Sequence, residues 1–222
     1  MTVKFYFNDM SPPSRSVMMV IRELGVPCEV KDVDMMTRQQ KTPEFLRINP
    51  RGRVPALVDG DLQISESQAI ACYLCNKFAK GAKTSLYPTG PGPREMVDMW
   101  LYRSVWINDL VEAYLNTHRI LFDNETMNYD ALHELKEGLH IFDKWLRNSL
   151  YLTGNNVTIA DYFNAVAILH LDQSGRKVYN EFPRLKEWIS RMRSISLFDE
   201  INQPGSDKLT KIIQDTLAKR TE

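Results

Sequence analysis

The stretch from Asn49 to Ile70, NPRGRVPALVDGDLQISESQAI, restricts the fold more than any other part of this chain. Asn49-Pro50 and Arg51-Gly52 punctuate its entry, because Pro50 fixes its own φ and Gly52 takes φ > 0 at no steric cost. Val54, Ala56, Leu57 and Val58 predict a short apolar strand, Asp59-Gly60-Asp61 a hairpin turn, and residues 62–64 the return strand. Ser65, with Gln68 three residues on, predicts a capped helix start. Pro55 interrupts the apolar run and forfeits a ladder hydrogen bond, so it belongs on an edge or in a turn. A cis Val54–Pro55 bond would turn the Val54 N–H and C=O outward, open to an extended peptide ligand.

Glu66 and Ser67 fall in the first turn of that helix, where free N–H groups and the positive dipole end attract a carboxylate. Ser67 and the backbone suit an acid, and Glu66 suits a neighbouring ammonium. Together they fit the head of an α-amino acid. The plainer alternative is an edge strand followed by a capped helix, with no ligand at all.

The rest of the chain divides around this stretch. Residues 3–7 predict a central strand, residues 14–24 a helix closed by Gly25, residues 28–33 a second strand, and the polar segment after it leads into a short helix ending near residue 48. The order through residue 80 is strand, helix, strand, helix, strand, strand, helix: a compact α/β unit. Residues 81–93, GAKTSLYPTGPGP, read as a linker. Beyond them the pattern is helical, with helices expected over 94–122, 128–150, 158–173, 183–193 and 206–218. Thr158 with Asp161 three residues on repeats the capping logic.

A chain of 222 residues with 43% hydrophobic content can bury a sizeable core. Lys plus Arg equals Asp plus Glu at 28 each, so no net field favours nucleic acid or an anionic membrane. No apolar run spans a bilayer and no signal-peptide core follows the start, so no membrane partner or secretory leader is expected. Three cysteines in a chain of this length suit a reducing compartment, and the cytoplasm is the expected location.

Candidate chemistry is sparse. Ser11 follows the first strand and precedes Pro12-Pro13 at a helix entry, where positive potential suits a thiolate or other anion; Ser11 or Ser14 as a plain helix cap is the alternative. All four histidines lie in the helical half, so no Ser–His hydrolase is expected. Cys72 and Cys75 match C-x-x-C but sit inside a helix, off its Ile70–Leu74–Phe78 stripe and away from free amides, so they read as structural. No metal-ligand spacing is present. Trp106, Leu110 and Tyr114 enrich one helix in apolar groups. With Asp109, and with Met10 and Pro13 from the facing loop, they are expected to line an apolar substrate pocket.

Five motifs in order give the chain a family likeness: Ser11-Pro12-Pro13-Ser14-Arg15, Pro43-Glu44-Phe45-Leu46, Asn49 through Leu57, Glu66-Ser67-Gln68-Ala69-Ile70, and Thr158-Ile159-Ala160-Asp161. With them the whole chain resembles the cytosolic glutathione transferases, in the serine-type branch of theta, delta and epsilon classes. The resemblance implies an α/β thioredoxin-like domain over residues 1–80, a linker over 81–93, and an all-α domain over 94–222 carrying the hydrophobic substrate site. It implies a cytoplasmic homodimer that conjugates reduced glutathione to hydrophobic electrophiles in detoxification, or uses it in an isomerase or peroxidase reaction, with no metal. A carrier of hydrophobic ligands is the alternative.

By the same resemblance Ser11 is the catalytic serine, and Val54 beside Pro55 pairs with the cysteinyl backbone. Glu66 and Ser67 hold the γ-glutamyl amine and carboxylate, and Lys41 and Arg53 meet the glycyl carboxylate. Gln40, Gly52 and Gln68 depart from the His, His and Arg frequent in delta and epsilon proteins. Gln40 and Gln68 remain among the expected glutathione contacts, and the departures shift weight onto Lys41 and Arg53. Because the cysteines read as structural, Cys72→Ser and Cys75→Ser are expected to retain activity in a glutathione-conjugation assay. Loss of turnover in either would move the chemistry to a protein thiol.

Overall fold

A computed structural model describes residues 2–220 of the chain. Its N-terminal part holds a four-stranded sheet: β1 (Val3–Phe7), β2 (Cys28–Asp32), β3 (Ala56–Asp59) and β4 (Leu62–Ser65), in the spatial order β2-β1-β3-β4. β2 lies parallel to β1, while β3 and β4 run antiparallel. Phe5 stands opposite Val30 on one side and Leu57 on the other. The parallel pair needs a crossover, supplied by α1 (Pro12–Leu24), which Gly25 ends in the left-handed conformation at φ 64°. A short α2 (Pro43–Leu46) and then α3 (Ser67–Phe78) complete this half. Phe5, Val20, Leu57, Ile70 and Leu74 fill the space between sheet and helices, each fully buried.

Three local expectations are corrected here. β3 starts at Ala56 rather than Val54, after the cis Val54–Pro55 bond. Ser65 is the last residue of β4, and α3 is capped instead by Glu66, whose φ of 69° leaves the helical path and whose side chain makes no cap hydrogen bond. Gln68 does not close a capping box; its Nε2 donates to Ser104 Oγ at 3.2 Å. Cys75 is not turned away from the packing of α3: it is 4% exposed in the core. Burial pushes its thiol up to about 12 and pushes Cys72 upward too, which disfavours thiolates at both.

Within the Gly/Pro-rich stretch, Gly81–Leu86 forms a 3-10 segment, and Leu86 and Tyr87 are buried. The helical part follows: α4 (Pro93–Leu115), α5 (Thr117–Phe122), α6 (Leu132–Trp145), α7 (Ile159–Leu169), α8 (Pro183–Arg193) and α9 (Phe198–Ala218). The helix expected over 94–122 breaks at Asn116, which adopts φ 55° while its Nδ2 donates to Glu125 and to the Thr126 carbonyl. α9 begins eight residues earlier than expected (198 against 206) and runs through Pro204. Its Gly205 packs so closely on the Asp9 backbone that a Cβ would lie 1.9 Å from the Asp9 carbonyl oxygen. No helix of the described residues is long and apolar enough to cross a membrane.

Every residue of α7 is buried, which marks it as the central helix. Asp161 in its first turn is 0% exposed and accepts four hydrogen bonds. They come from Leu152 N at 2.9 Å, Thr158 N at 2.9 Å, Thr158 Oγ1 at 3.1 Å and Trp188 Nε1 at 3.0 Å. Burial pushes this carboxyl upward, and the four donors oppose the shift. The carboxylate thus ties the 152–158 turn and α8 to the central helix. Asp161→Ala should lower stability by about 3 kcal/mol or more, since it orphans several buried donors. For a chain of this size that corresponds to a melting temperature lower by roughly 6–12 °C. Differential scanning calorimetry reads the shift directly. A loss of activity at unchanged melting temperature would contradict a structural role.

Candidate functional site

The C-terminal end of β1 opens into a loop whose shape is fixed by Asn8. Its Nδ2 donates to the Val33 carbonyl at 2.9 Å, and its Oδ1 accepts from Met10 N at 3.0 Å. Ser11 follows as the N-cap of α1: its Oγ accepts from Ser14 N at 3.4 Å. That leaves its O–H proton free to be donated elsewhere. Ser11 is 8% exposed and lines a cavity, whereas Ser14 is fully buried.

Two cavities meet beside this loop, sharing Pro12, Arg53 and Val54 as walls. The first, about 340 Å³, is the more polar of the two, with Asn49, Arg51, Arg53, Glu66, Ser67, Gln68, Asn108 and Asp109 among its walls. It overlies the N-terminus of α3, whose first-turn amides the Glu66 side chain does not cap. Glu66 is held instead by an ion pair with Arg51 Nη1. A non-glycine residue at φ 69° and ψ 109° carries backbone strain, and such strain concentrates at functional positions. Asn49 shapes the adjoining turn: its Nδ2 donates to the Arg53 carbonyl at 2.7 Å, and its Oδ1 accepts from Arg51 N at 3.1 Å.

The second cavity, about 440 Å³, is mainly apolar. Met10, Met35, Met36, Leu121, Phe122 and Leu209 supply its surface, with Ser11, Gln40, Lys41, Glu112, Thr117, His118 and His170 among the polar groups. Gly52 allows Gln40 and Lys41 to close over the turn, since a Cβ there would approach Gln40 O to 2.8 Å and Lys41 Nζ to 2.9 Å. Lys41 Nζ donates to the Arg51 carbonyl at 3.2 Å. Gln40 Oε1 is buried without a protein hydrogen-bond partner among the described residues.

The structure therefore gathers Ser11, Gln40, Lys41, Arg53, Val54, Pro55, Glu66, Ser67 and Gln68 around two joined cavities. Met10 faces the apolar cavity and Pro13 the polar one. It does not bring Trp106, Leu110 or Tyr114 there. These three lie on the face of α4 packed against α6 and the 129–131 turn. At Gly138 of α6 a Cβ would meet Leu110 Cδ1 at 2.6 Å and Trp106 Cη2 at 3.5 Å. Tyr114 is fully buried and stands edge-on to Tyr129, with ring centroids 6.0 Å apart. Asp109 is exposed on the polar cavity rather than set in the apolar one.

The face of α4 that reaches the cavities carries Ser104, Asn108 and Glu112 at i, i+4 and i+8, with Val105 and Asp109 beside them. That polar stripe was the signal to follow; aromatic enrichment marked the face packed against α6 instead. Sequence reasoning also missed Asn49 and Arg51, and it missed Met35, Leu121, Phe122 and Leu209, which enter from loops and helices distant in sequence.

Comparison with known proteins agrees with this fold. The Glutathione S-transferase, N-terminal domain pattern matches residues 1–76, and the Glutathione S-transferase, C-terminal domain pattern matches residues 103–195. Glutathione S-transferase 1 of Manduca sexta is 32% identical over 222 residues, spanning 98% of this chain and 100% of that protein. An epsilon-class glutathione S-transferase from the housefly Musca domestica superposes with a TM-score of 0.88 at 27% identity, covering 97% of this chain and 98% of its own. A glutathione transferase homologue from Drosophila mojavensis with bound glutathione superposes with a TM-score of 0.86 at 28% identity, covering 97% of each chain. This chain belongs to the glutathione S-transferase family.

Proposed function

We propose that the chain conjugates reduced glutathione to hydrophobic electrophiles, with Ser11 favouring the thiolate. The observation that carries this reading is the position of Ser11 beside the junction of a polar and an apolar cavity, with its hydroxyl proton uncommitted. Glutathione then lies across the junction. Its γ-glutamyl carboxylate takes Ser67 and the open N-terminus of α3, and its amine takes Glu66. The cysteinyl backbone pairs with Val54 beside Pro55. The glycyl carboxylate meets Lys41 and Arg53, with Gln40 and Gln68 completing the contacts. The sulfur faces Ser11 and the apolar cavity, where Met10 and its neighbours receive the electrophile.

A free thiol of pKa ~8.5 is only a few per cent ionised at neutral pH. A hydrogen bond from Ser11 and the positive end of α1 both favour the anion. The thiolate sulfur forms the new bond to carbon, and the leaving group or an added proton balances the charge. The molecule is proposed to act in the cytosol as a homodimer. Its three free cysteines suit that compartment, and Tyr102, 80% exposed on α4, suits a subunit contact.

Ser11→Ala should cut kcat about ten- to hundredfold, because a hydrogen bond to a charged group contributes about 1.5–3 kcal/mol. Glutathione affinity should change only a few-fold, and the thiolate's ultraviolet absorbance should titrate at higher pH. Unchanged turnover would remove Ser11 from the chemistry. Glu66→Ala and Glu66→Gly should both weaken glutathione binding. The glycine variant should be the more stable of the two by about 1 kcal/mol in urea denaturation, because glycine tolerates φ 69°. Equal stabilities would mean that this backbone is not strained.

A further inference from the structure

The apolar cavity contains one feature that hydrophobic recognition does not require. Glu112 enters it from α4, and its Oε1 lies 2.6 Å from His170 Nε2. His170 Nδ1 in turn lies 2.6 Å from Gln173 Nε2. The imidazole is 1% exposed and Gln173 4% exposed, while the Glu112 side chain keeps 37% exposure. The carboxylate is thus anchored from behind by His170, with Thr117 beside it, and its exposed part faces the cavity. Burial pushes the Glu112 carboxyl upward, but His170, Thr117 and His118 together hold it below the ordinary value.

A ligand large enough to fill the surroundings of Met10, Leu121, Phe122 and Leu209 displaces water from that carboxylate. Unless the ligand returns a donor, the lone pairs that His170 does not satisfy lose their hydration in an apolar setting. Sites built to satisfy such a group discriminate strongly against analogues that lack the donor. We propose that Glu112 is a specificity-determining residue of the second-substrate cavity, selecting apolar electrophiles that carry a hydroxyl group distant from the reactive carbon. His170 and Gln173 are its positioning residues. The inference rests on the apolar cavity being the electrophile site, and it deepens that reading. Arg38, Lys41 and His118 also line the cavity, so the test uses neutral probes that none of them attracts by charge.

The probes are two long-chain enones, one ending in a hydroxyl and one in a methyl ether, with the saturated ketone of each. Titration calorimetry of the saturated pair with glutathione-loaded protein should show the hydroxyl compound binding about ten- to hundredfold more tightly. Glu112→Leu should bring the ratio to near one without altering glutathione affinity. Glu112→Gln, close in shape and still an acceptor, should retain part of it, and this variant with the wild-type ratio decides the matter if Glu112→Leu does not fold. His170→Phe should lower the ratio while leaving binding of the methyl ether unchanged. Equal binding of the two ketones by the wild type would overturn the proposal. So would an equal loss for both in Glu112→Leu, which marks a purely structural pair. Turnover of the enones reads the conjugation separately: a hydroxyl preference in binding without turnover would sink that reading and leave the selectivity of Glu112 standing.

Discussion

The buried guanidinium of Arg15 is the contact on which the arrangement of the site depends. It is 1% exposed, on the second turn of α1, and it donates to the Asp9 carbonyl at 2.8 Å and to Asn202 Oδ1 at 3.3 Å. Burial lowers its pKa to about 10, with nearby Asp9 opposing the shift, so it stays charged at neutral pH. A cation at this depth is costly unless its donors are met, and here they meet oxygens from both halves of the molecule. One hydrogen bond shapes the loop before Ser11; the other ties α1 to α9. The close approach of Gly205 to Asp9 and the Lys208–Asp9 pair at 3.4 Å fasten the same junction. Placement of Ser11 is therefore a property of both halves, although the residue belongs to the first.

That dependence explains why local patterns carried the sequence reading so far and no further. The alternation of β1, the glycine after α1, the hairpin at Asp59-Gly60-Asp61 and the bounds of α8 are all written in short-range chemistry. The same is true of Thr158 and Asp161. The failures arise where a distant partner decides. Ser65 looked like a cap because serine usually is one; the φ of 69° at Glu66 carries the chain into α3 differently, with Arg51 holding its carboxylate. The helix expected from residue 206 instead starts at Phe198 and runs through Pro204, where Gly205 must fit against the Asp9 backbone.

The candidate site was legible in the same uneven way. Residues expected at the glutathione side all come from the first half, in motifs a few residues long, and they converge. The expected substrate side failed on helix phase. Trp106 and Leu110 are two residues away from Asn108 and Glu112, about 200° around the helix, so choosing the apolar face chose the wrong side. Aromatic content measures burial before it measures binding. The groups facing the ligand space along α4 are Ser104, Asn108, Asp109 and Glu112, which no hydrophobic pattern reveals.

The two cavities also show how one helix can serve both ends of a reaction path. Along its polar edge α4 presents Asn108 and Asp109 to the first cavity, then Glu112 one turn later to the apolar one. A carboxylate in the cavity that Ser11 lines would, alone, disfavour a thiolate beside it, since like charges raise a thiol pKa. The hydrogen bond from the buried His170 ring at 2.6 Å holds that carboxylate toward the rear of the cavity, and the positive N-terminal end of α1 favours an anion beside Ser11. The carboxylate can then remain ionised for recognition without working against the sulfur. A hydrogen-bonded carboxylate behind the cavity and a helix dipole in front of it are thus two parts of a single electrostatic arrangement.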